Sequence, residues 1–253
     1  MSEQDPMVDE FDTVAAWTVA AVEELGADHA LPAACRGSGS PAALDWLADA
    51  IGVGAGSRLL DSGAGVGGPA AYVARERDAV PVLAEPMTGA CWAARQLFDA
   101  PVVAADGLAL PFPDASFDCA WSLGVLCTVE DKPAHLAELR RAVVPGGGVG
   151  LLVYVRTVDV LPTQPEGNHF PDHDELLAAV AAAGLVLVDE ARLADLPGTP
   201  EDWQAAADAV DATVERAHRD DPRWARAQAQ QEEIADLIGR ELVVGVLVAC
   251  RAG

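Results

Sequence analysis

The residues with the plainest chemistry are three carboxylates and a set of closely spaced glycines. Asp61 ends the apolar run Leu59-Leu60 and is followed by Ser62-Gly63-Ala64-Gly65-Val66-Gly67-Gly68-Pro69. Glycine lacks a Cβ and accepts positive φ, so glycines at alternating positions after a buried strand let backbone approach a ligand closely. Ala70 to Arg75 read as the first turns of a helix whose N-terminus faces whatever the turn holds, the arrangement of a nucleotide-type cofactor site. Glu85 closes the run Val80 to Ala84 about twenty residues further on, where a carboxylate can accept hydrogen bonds from two ribose hydroxyls. Asp106-Gly107 closes a third run and offers an acceptor beside an adenine amino group. Three strand ends in step would place these acids along the carboxyl edge of one sheet, where open α/β folds bind ligands.

The elements that must hold them alternate regularly. Strands are expected at 58–61, 80–84, 101–105, 117–121, 148–155 and 185–192, with helices near 69–77, 88–97, 131–143 and 173–183. Such alternation predicts a mostly parallel sheet covered by helices on both faces. Before the core, apolar residues at helical spacing from Phe11 to Leu25 predict a helix over 11–26, residues 27–40 read as a small-residue loop, and Ser40-Pro41 reads as the cap of a helix to Ile51. Pro145-Gly146-Gly147-Gly148 reads as a sharp turn entering the fifth strand. After Leu193 comes a helical insertion of about forty residues carrying Trp203 and Trp224. The last apolar run, 242–249, reads as an antiparallel edge strand paired with 185–192. The resulting division is a helical lid (1–56), a core (57–197), a helical cap (198–240) and a final core strand (241–253).

Composition narrows the partners. A net charge of −24 in 253 residues leaves little cationic surface for phosphate, so nucleic acid and anionic membranes are not expected partners. The N-terminal Met1 to Asp5 is acidic, and no apolar segment approaches membrane-spanning length. Cys35, Cys91, Cys119, Cys127 and Cys250 are odd in number and irregular in spacing, which fits buried thiols in a reducing cytoplasm and no metal site.

Four motifs in order carry a specific resemblance: Leu60-Asp61-Ser62-Gly63-Ala64-Gly65-Val66-Gly67, then Glu85, then Asp106 to Asp118 with Leu110-Pro111-Phe112-Pro113-Asp114-Ala115-Ser116-Phe117-Asp118, then Leu139 to Gly147. Over residues 57–155 the chain resembles class I S-adenosylmethionine-dependent methyltransferases that act on small molecules. The resemblance implies a Rossmann-like, seven-stranded, mostly parallel sheet with an antiparallel last strand. It implies that Asp61, Gly63, Gly65 and Gly67 line the methionine part of the cofactor and that Glu85 holds its ribose. Met87 would lie against adenine, Asp106, Gly107 and Leu108 would meet its edge, and Ser122 and Leu123 would sit beside the sulfonium. Where such enzymes often carry histidine or another polar residue after the fourth strand, this chain reads Leu123-Gly124-Val125-Leu126-Cys127-Thr128.

Methyl transfer from a sulfonium is an in-line displacement, in which alignment in a dry pocket matters most and a base is needed only when the nucleophile must lose a proton. His169, in the loop after the fifth strand, is the candidate base, while His173 belongs to the next helix start and His135 and His218 read as exposed helix positions. Arg36 is placed either on the cofactor carboxylate or in a surface ion pair. The tryptophans read as packing residues, with the inner face of the cap shaping an acceptor pocket. Three alternatives remain at this level: a fold relative that binds the same cofactor and promotes another reaction such as cyclisation, a nicotinamide-dependent oxidoreductase, and a non-catalytic ligand sensor. Residue types name neither the acceptor nor the oligomeric state.

Overall fold

The computed structural model describes residues 6–253, with side chains from Asp12 onward. The acidic Met1–Asp5 segment and the Phe11 side chain, both used in the sequence reading, lie outside the described residues.

Two helices, α1 (Pro6–Leu25) and α2 (Ala30–Ala34), precede α3 (Pro41–Ile51). The capping expected at Ser40 is present: its Oγ accepts from the Ala43 N–H at 3.3 Å, Pro41 opens the helix, and Gly52 closes it at φ 83°. The core then alternates β1 (Arg58–Ser62), α4 (Gly68–Arg77), β2 (Val80–Glu85), α5 (Thr88–Phe98), β3 (Val102–Ala104), β4 (Phe117–Leu123), α6 (Lys132–Ala142) and β5 (Val143–Arg156). It continues through α7 (His173–Ala182), β6 (Leu185–Arg192), α8 (Glu201–His218), α9 (Pro222–Gly239) and β7 (Val243–Ala252). Strand order is β3-β2-β1-β4-β5-β7-β6; β7 runs antiparallel to both neighbours and the other strand pairs are parallel.

Successive strand residues face opposite ways, so Leu59, Cys119 and Trp121 pack under α3 and α4 while Leu60 and Ala120 pack under α6 and α7. Register then aligns the functional ends. Asp61 lies opposite Leu83 of β2 and Trp121 of β4, and Glu85 lies opposite Ala104 of β3.

Four expectations need correcting. The final strand is not an edge: β7 sits between β5 and β6, and β6 is the edge. The apolar run of 242–249 already contains the reason, because a strand buried on both faces reads as continuously apolar, whereas β6 carries Asp189, Glu190 and Arg192 and exposes Val186 and Val188. Residues 27–34 are not loop but a 3-10 turn and α2, where Pro32 falls in the first turn and sacrifices no helical hydrogen bond. Residues Val144–Gly147 are a bulge within β5 rather than a turn before it, with the register shifting between Phe117 and Cys119. The glycines there serve close approach: a Cβ on Gly147 would stand 2.5 Å from the Asp118 carbonyl oxygen, and one on Gly148 2.2 Å from that of Ile51. The fourth concerns His135, which is buried.

Helices α8 and α9 form the late insertion and pack against the N-terminal segment. Val210 and Val214 of α8 meet Ala21, Val22, Ala30 and Ala33, and Trp17 of α1 stacks on His218 with ring centroids 4.1 Å apart. Trp203 packs edge-on to Tyr72 of α4. Among the described residues no helix is long and apolar enough to cross a membrane.

Candidate functional site

The turn after β1 is built by left-handed backbone: Gly63, Gly65 and Gly67 have φ of 74°, 54° and 86°. At Gly63 the absent side chain is also a matter of space, since a Cβ would stand 2.3 Å from Cγ2 of Val125. Glu85, buried at the end of β2, joins the turn to the next loop: Oε2 accepts the Gly65 N–H at 2.8 Å and Oε1 accepts the Met87 N–H at 3.0 Å. Its pKa is raised, by burial first. Asp61 is buried completely and its pKa is pushed up to about 7 by desolvation, with the field of Glu85 adding to the rise and the nearby Trp121 indole opposing it. Even so, Asp61 Oδ2 and Trp121 Nε1 lack hydrogen-bond partners, and so does Ser62 Oγ. Buried polar atoms without partners are uncommon, and three of them cluster at this strand end.

The two further strand ends close on the same place. Asp106 is exposed and turns its own loop, with Oδ1 accepting the Leu108 N–H at 2.9 Å. Gly107 approaches Ser62 and His135, while Leu108 is exposed. Ser122, buried at the end of β4, donates from Oγ to the Ser62 carbonyl at 3.0 Å, and Leu123 is buried beside it. A roof crosses above. Gly68 opens α4 directly beneath the Ala34 carbonyl, and a Cβ on Gly124 would stand 3.0 Å from the Gly37 carbonyl oxygen, so the chain from α2 to α3 lies over the ends of β1 and β4.

Asp61, Gly63, Gly65, Gly67, Glu85, Met87, Asp106, Gly107, Ser122 and Leu123 are therefore gathered at one edge. Arg36 is engaged elsewhere: its Nη1 pairs with Asp211 of α8 and its Nε donates to the Ala33 carbonyl at 3.2 Å. His169 is exposed, and its backbone N–H donates to the Cys127 carbonyl at 2.6 Å, tying its loop to the segment that carries Val125. His173 opens α7 beside the Asp172 cap and meets Glu190 at 3.1 Å. His135, read as exposed, is instead buried against Gly107 and Ser122. The signal available was its place next to buried Leu136 and one turn before buried Leu139 on the inner face of α6, one residue from the stripe. Val125 over Gly63 and Gly37 over Gly124 had no signal, since both are contacts between distant loops.

Two cavities lie away from this edge. One of about 670 Å³ is lined by Arg156, His173, Glu190 and Arg192, and one of about 550 Å³ lies among alanines of α2 and α4 and the end of α5; neither includes residues 61–69. Among the described residues no group of three or more His, Cys, Asp or Glu is placed to hold a metal.

A glycine turn after β1, a buried carboxylate at the end of β2 and an antiparallel β7 inserted between β5 and β6 make up a Rossmann-like fold of the kind seen in class I S-adenosylmethionine-dependent methyltransferases. The same insertion departs from the 3-2-1-4-5-6 order of dinucleotide-binding oxidoreductases. Residues 60–150 match the family described as "Methyltransferase domain". It is 29% identical over 147 residues to "Methyltransferase GfsG" of Streptomyces halstedii, covering 49% of this chain and 51% of that one. It is 34% identical over 120 residues to 27-O-demethylrifamycin SV methyltransferase of Amycolatopsis mediterranei, covering 42% of each. The match thus spans about half the length of these curated relatives. Among solved structures the 4+2 cyclase SpnF shares the fold, with TM-score 0.65 at 23% identity over 82% of this chain and 78% of that one.

Proposed function

We propose that this chain transfers a methyl group from S-adenosylmethionine to a small-molecule acceptor. The observation that carries the reading is Glu85 held by the Gly65 and Met87 N–H groups beside an Asp61 with an unpartnered oxygen, a buried acid pair framing the glycine turn at the carboxyl edge. The donor set fits the cofactor. Each Glu85 oxygen keeps a lone pair for a ribose hydroxyl, the glycines present bare backbone, and Asp61 offers a buried carboxyl oxygen that a cationic amino acid moiety would draw into its ionised form.

Bound there, S-adenosylmethionine supplies an electrophilic methyl group on a sulfonium. Asp61, Gly63, Gly65 and Gly67 line its methionine part, Glu85 holds the ribose, Met87, Asp106, Gly107 and Leu108 flank the adenine, and Ser122 and Leu123 wall the reacting side. The roof from Ala34 to Gly37 excludes water, which favours a displacement that depends on alignment. His169 stands on the loop best placed to receive an acceptor proton, and the cap of α8 and α9 shapes the acceptor pocket. Arg36 is tied to that cap through Asp211 and is available to the cofactor carboxylate only if that pair opens. We place the functional units at 1–56 (lid), 57–197 (cofactor core), 198–240 (cap) and 241–253 (last strand), and the protein in the cytoplasm, to which its five free, buried cysteines are suited.

The test is incubation of the purified chain with methyl-labelled S-adenosylmethionine and pooled small-molecule extracts, followed by mass spectrometry. A labelled product supports methyl transfer. Cofactor binding with conversion of a substrate but no label would point instead to the cyclisation alternative.

A further inference from the structure

Ser122, at the end of β4, makes two contacts that fix the chemistry of a third group. Its Oγ donates to the Ser62 carbonyl at 3.0 Å, which uses its single proton. The 3.1 Å contact between Ser122 Oγ and Nε2 of His135 therefore requires Nε2 to be the donor. His135 is accordingly the Nε2–H tautomer, with Nδ1 bare. That imidazole is 1% exposed, on α6, and its Nδ1 has no partner. Burial holds its pKa down at about 4, against the upward pull of Asp106, the charged group whose field reaches it; Ser62, Ser122 and Gly107 are its uncharged neighbours. It is neutral throughout the physiological range.

The ring also sets a spacing. A Cβ on Gly107 would stand 2.6 Å from both Cε1 and Nδ1 of His135, and 3.4 Å from Ser62 Oγ. The imidazole thus occupies the space that a side chain at position 107 would need, while its other nitrogen grips Ser122, whose hydroxyl in turn grips β1 immediately after Asp61. One ring connects the loop after β3 to the ends of β4 and β1.

We propose that His135 is a positioning residue for the cofactor: through Ser122 it holds the sulfonium-side wall against the glycine turn, and through Gly107 it sets the height of the adenine-side loop. The proposal rests on the methyltransferase reading of the site. It assigns no contact between His135 and the cofactor itself.

Titration calorimetry with S-adenosylhomocysteine tests it. His135→Leu keeps the bulk but removes the donor, and is expected to weaken binding at least tenfold. His135→Gln can reach Ser122 with its own N–H and is expected to bind within threefold of the native chain. Equal binding by all three proteins overturns the proposal, and so does equal weakening in both variants, which is what a purely packing role would give. A native chain that binds no S-adenosylhomocysteine sinks the methyltransferase reading instead, so the two failures are distinguishable. A measurement on the native chain stands apart from any variant's folding: nitrogen-15 NMR is expected to show His135 protonated at Nε2 and bare at Nδ1 from pH 5.5 to 8. The opposite tautomer, or a charged ring above pH 6, also overturns the proposal.

Discussion

Asp61→Asn is expected to make the protein more stable and, at the same time, to spoil its cofactor site. The native carboxyl holds its proton up to about pH 7, whereas in an unfolded chain it ionises near 3.8. Between those values the folded state binds more protons than the unfolded one, so stability falls as pH rises from about 4 to about 7. Raising a carboxyl from 3.8 to about 7 corresponds to about 4 kcal/mol once the group is fully ionised, an upper bound because relaxation around a buried charge reduces it. At pH 5.5 the same arithmetic leaves about 2 kcal/mol. Asparagine keeps the shape and cannot ionise, so its gain in urea unfolding free energy should be about 4 kcal/mol at pH 8 and about 2 at pH 5.5. With a urea slope of about 3 kcal/mol per molar, the gain in midpoint is larger at pH 8 by roughly 0.7 M. Calorimetry on the same preparation should show weaker binding of S-adenosylmethionine. A variant whose gain is independent of pH, or that loses stability at pH 8, refutes the assignment of Asp61 as a strained, buried acid; unchanged cofactor affinity refutes its role.

Gly63→Ala should abolish detectable cofactor binding and cost about 1–3 kcal/mol, combining positive φ with the collision at Val125. Adding Val125→Ala should recover part of that stability in thermal melts, and no recovery would show that the contact does not limit the turn. Arg36→Ala should change stability by less than about 1 kcal/mol, because its pair with Asp211 is more than a third exposed; a tenfold rise in KM for S-adenosylmethionine would assign Arg36 to the cofactor, and an unchanged KM would leave it as a tie between lid and cap. His169→Ala should lower kcat with little effect on cofactor affinity, and full turnover at saturation would remove it as a base. Exchange of residues 198–240 for another cap should change acceptor preference in a competition assay, whereas loss of cofactor affinity alone would argue against the pocket-shaping role.

The sheet and the gathering of the acids and glycines at one edge were legible because they depend on local chemistry. Capping at Ser40, glycines in left-handed turns and acids at strand ends are properties of a few consecutive residues. What escaped depends on contacts between distant segments. Nothing near Leu242 says that β7 enters between β5 and β6, although its unbroken apolar run meant burial on both faces. His135 sits one residue from the leucine stripe of α6, and its burial follows only from the approach of Gly107 and Ser122. Arg36 was recognised as a cation that needs a partner, but that partner, Asp211, lies on a helix of the late insertion.

The central claim, that residues 61–107 form a site for S-adenosylmethionine, is most directly tested by titrating the native chain with S-adenosylhomocysteine and, separately, with NADH, alongside Glu85→Ala. The account predicts saturable one-to-one binding of S-adenosylhomocysteine, no heat with NADH, and at least tenfold weaker S-adenosylhomocysteine binding by Glu85→Ala. Saturable binding of NADH, or S-adenosylhomocysteine binding that Glu85→Ala leaves unchanged, would contradict it.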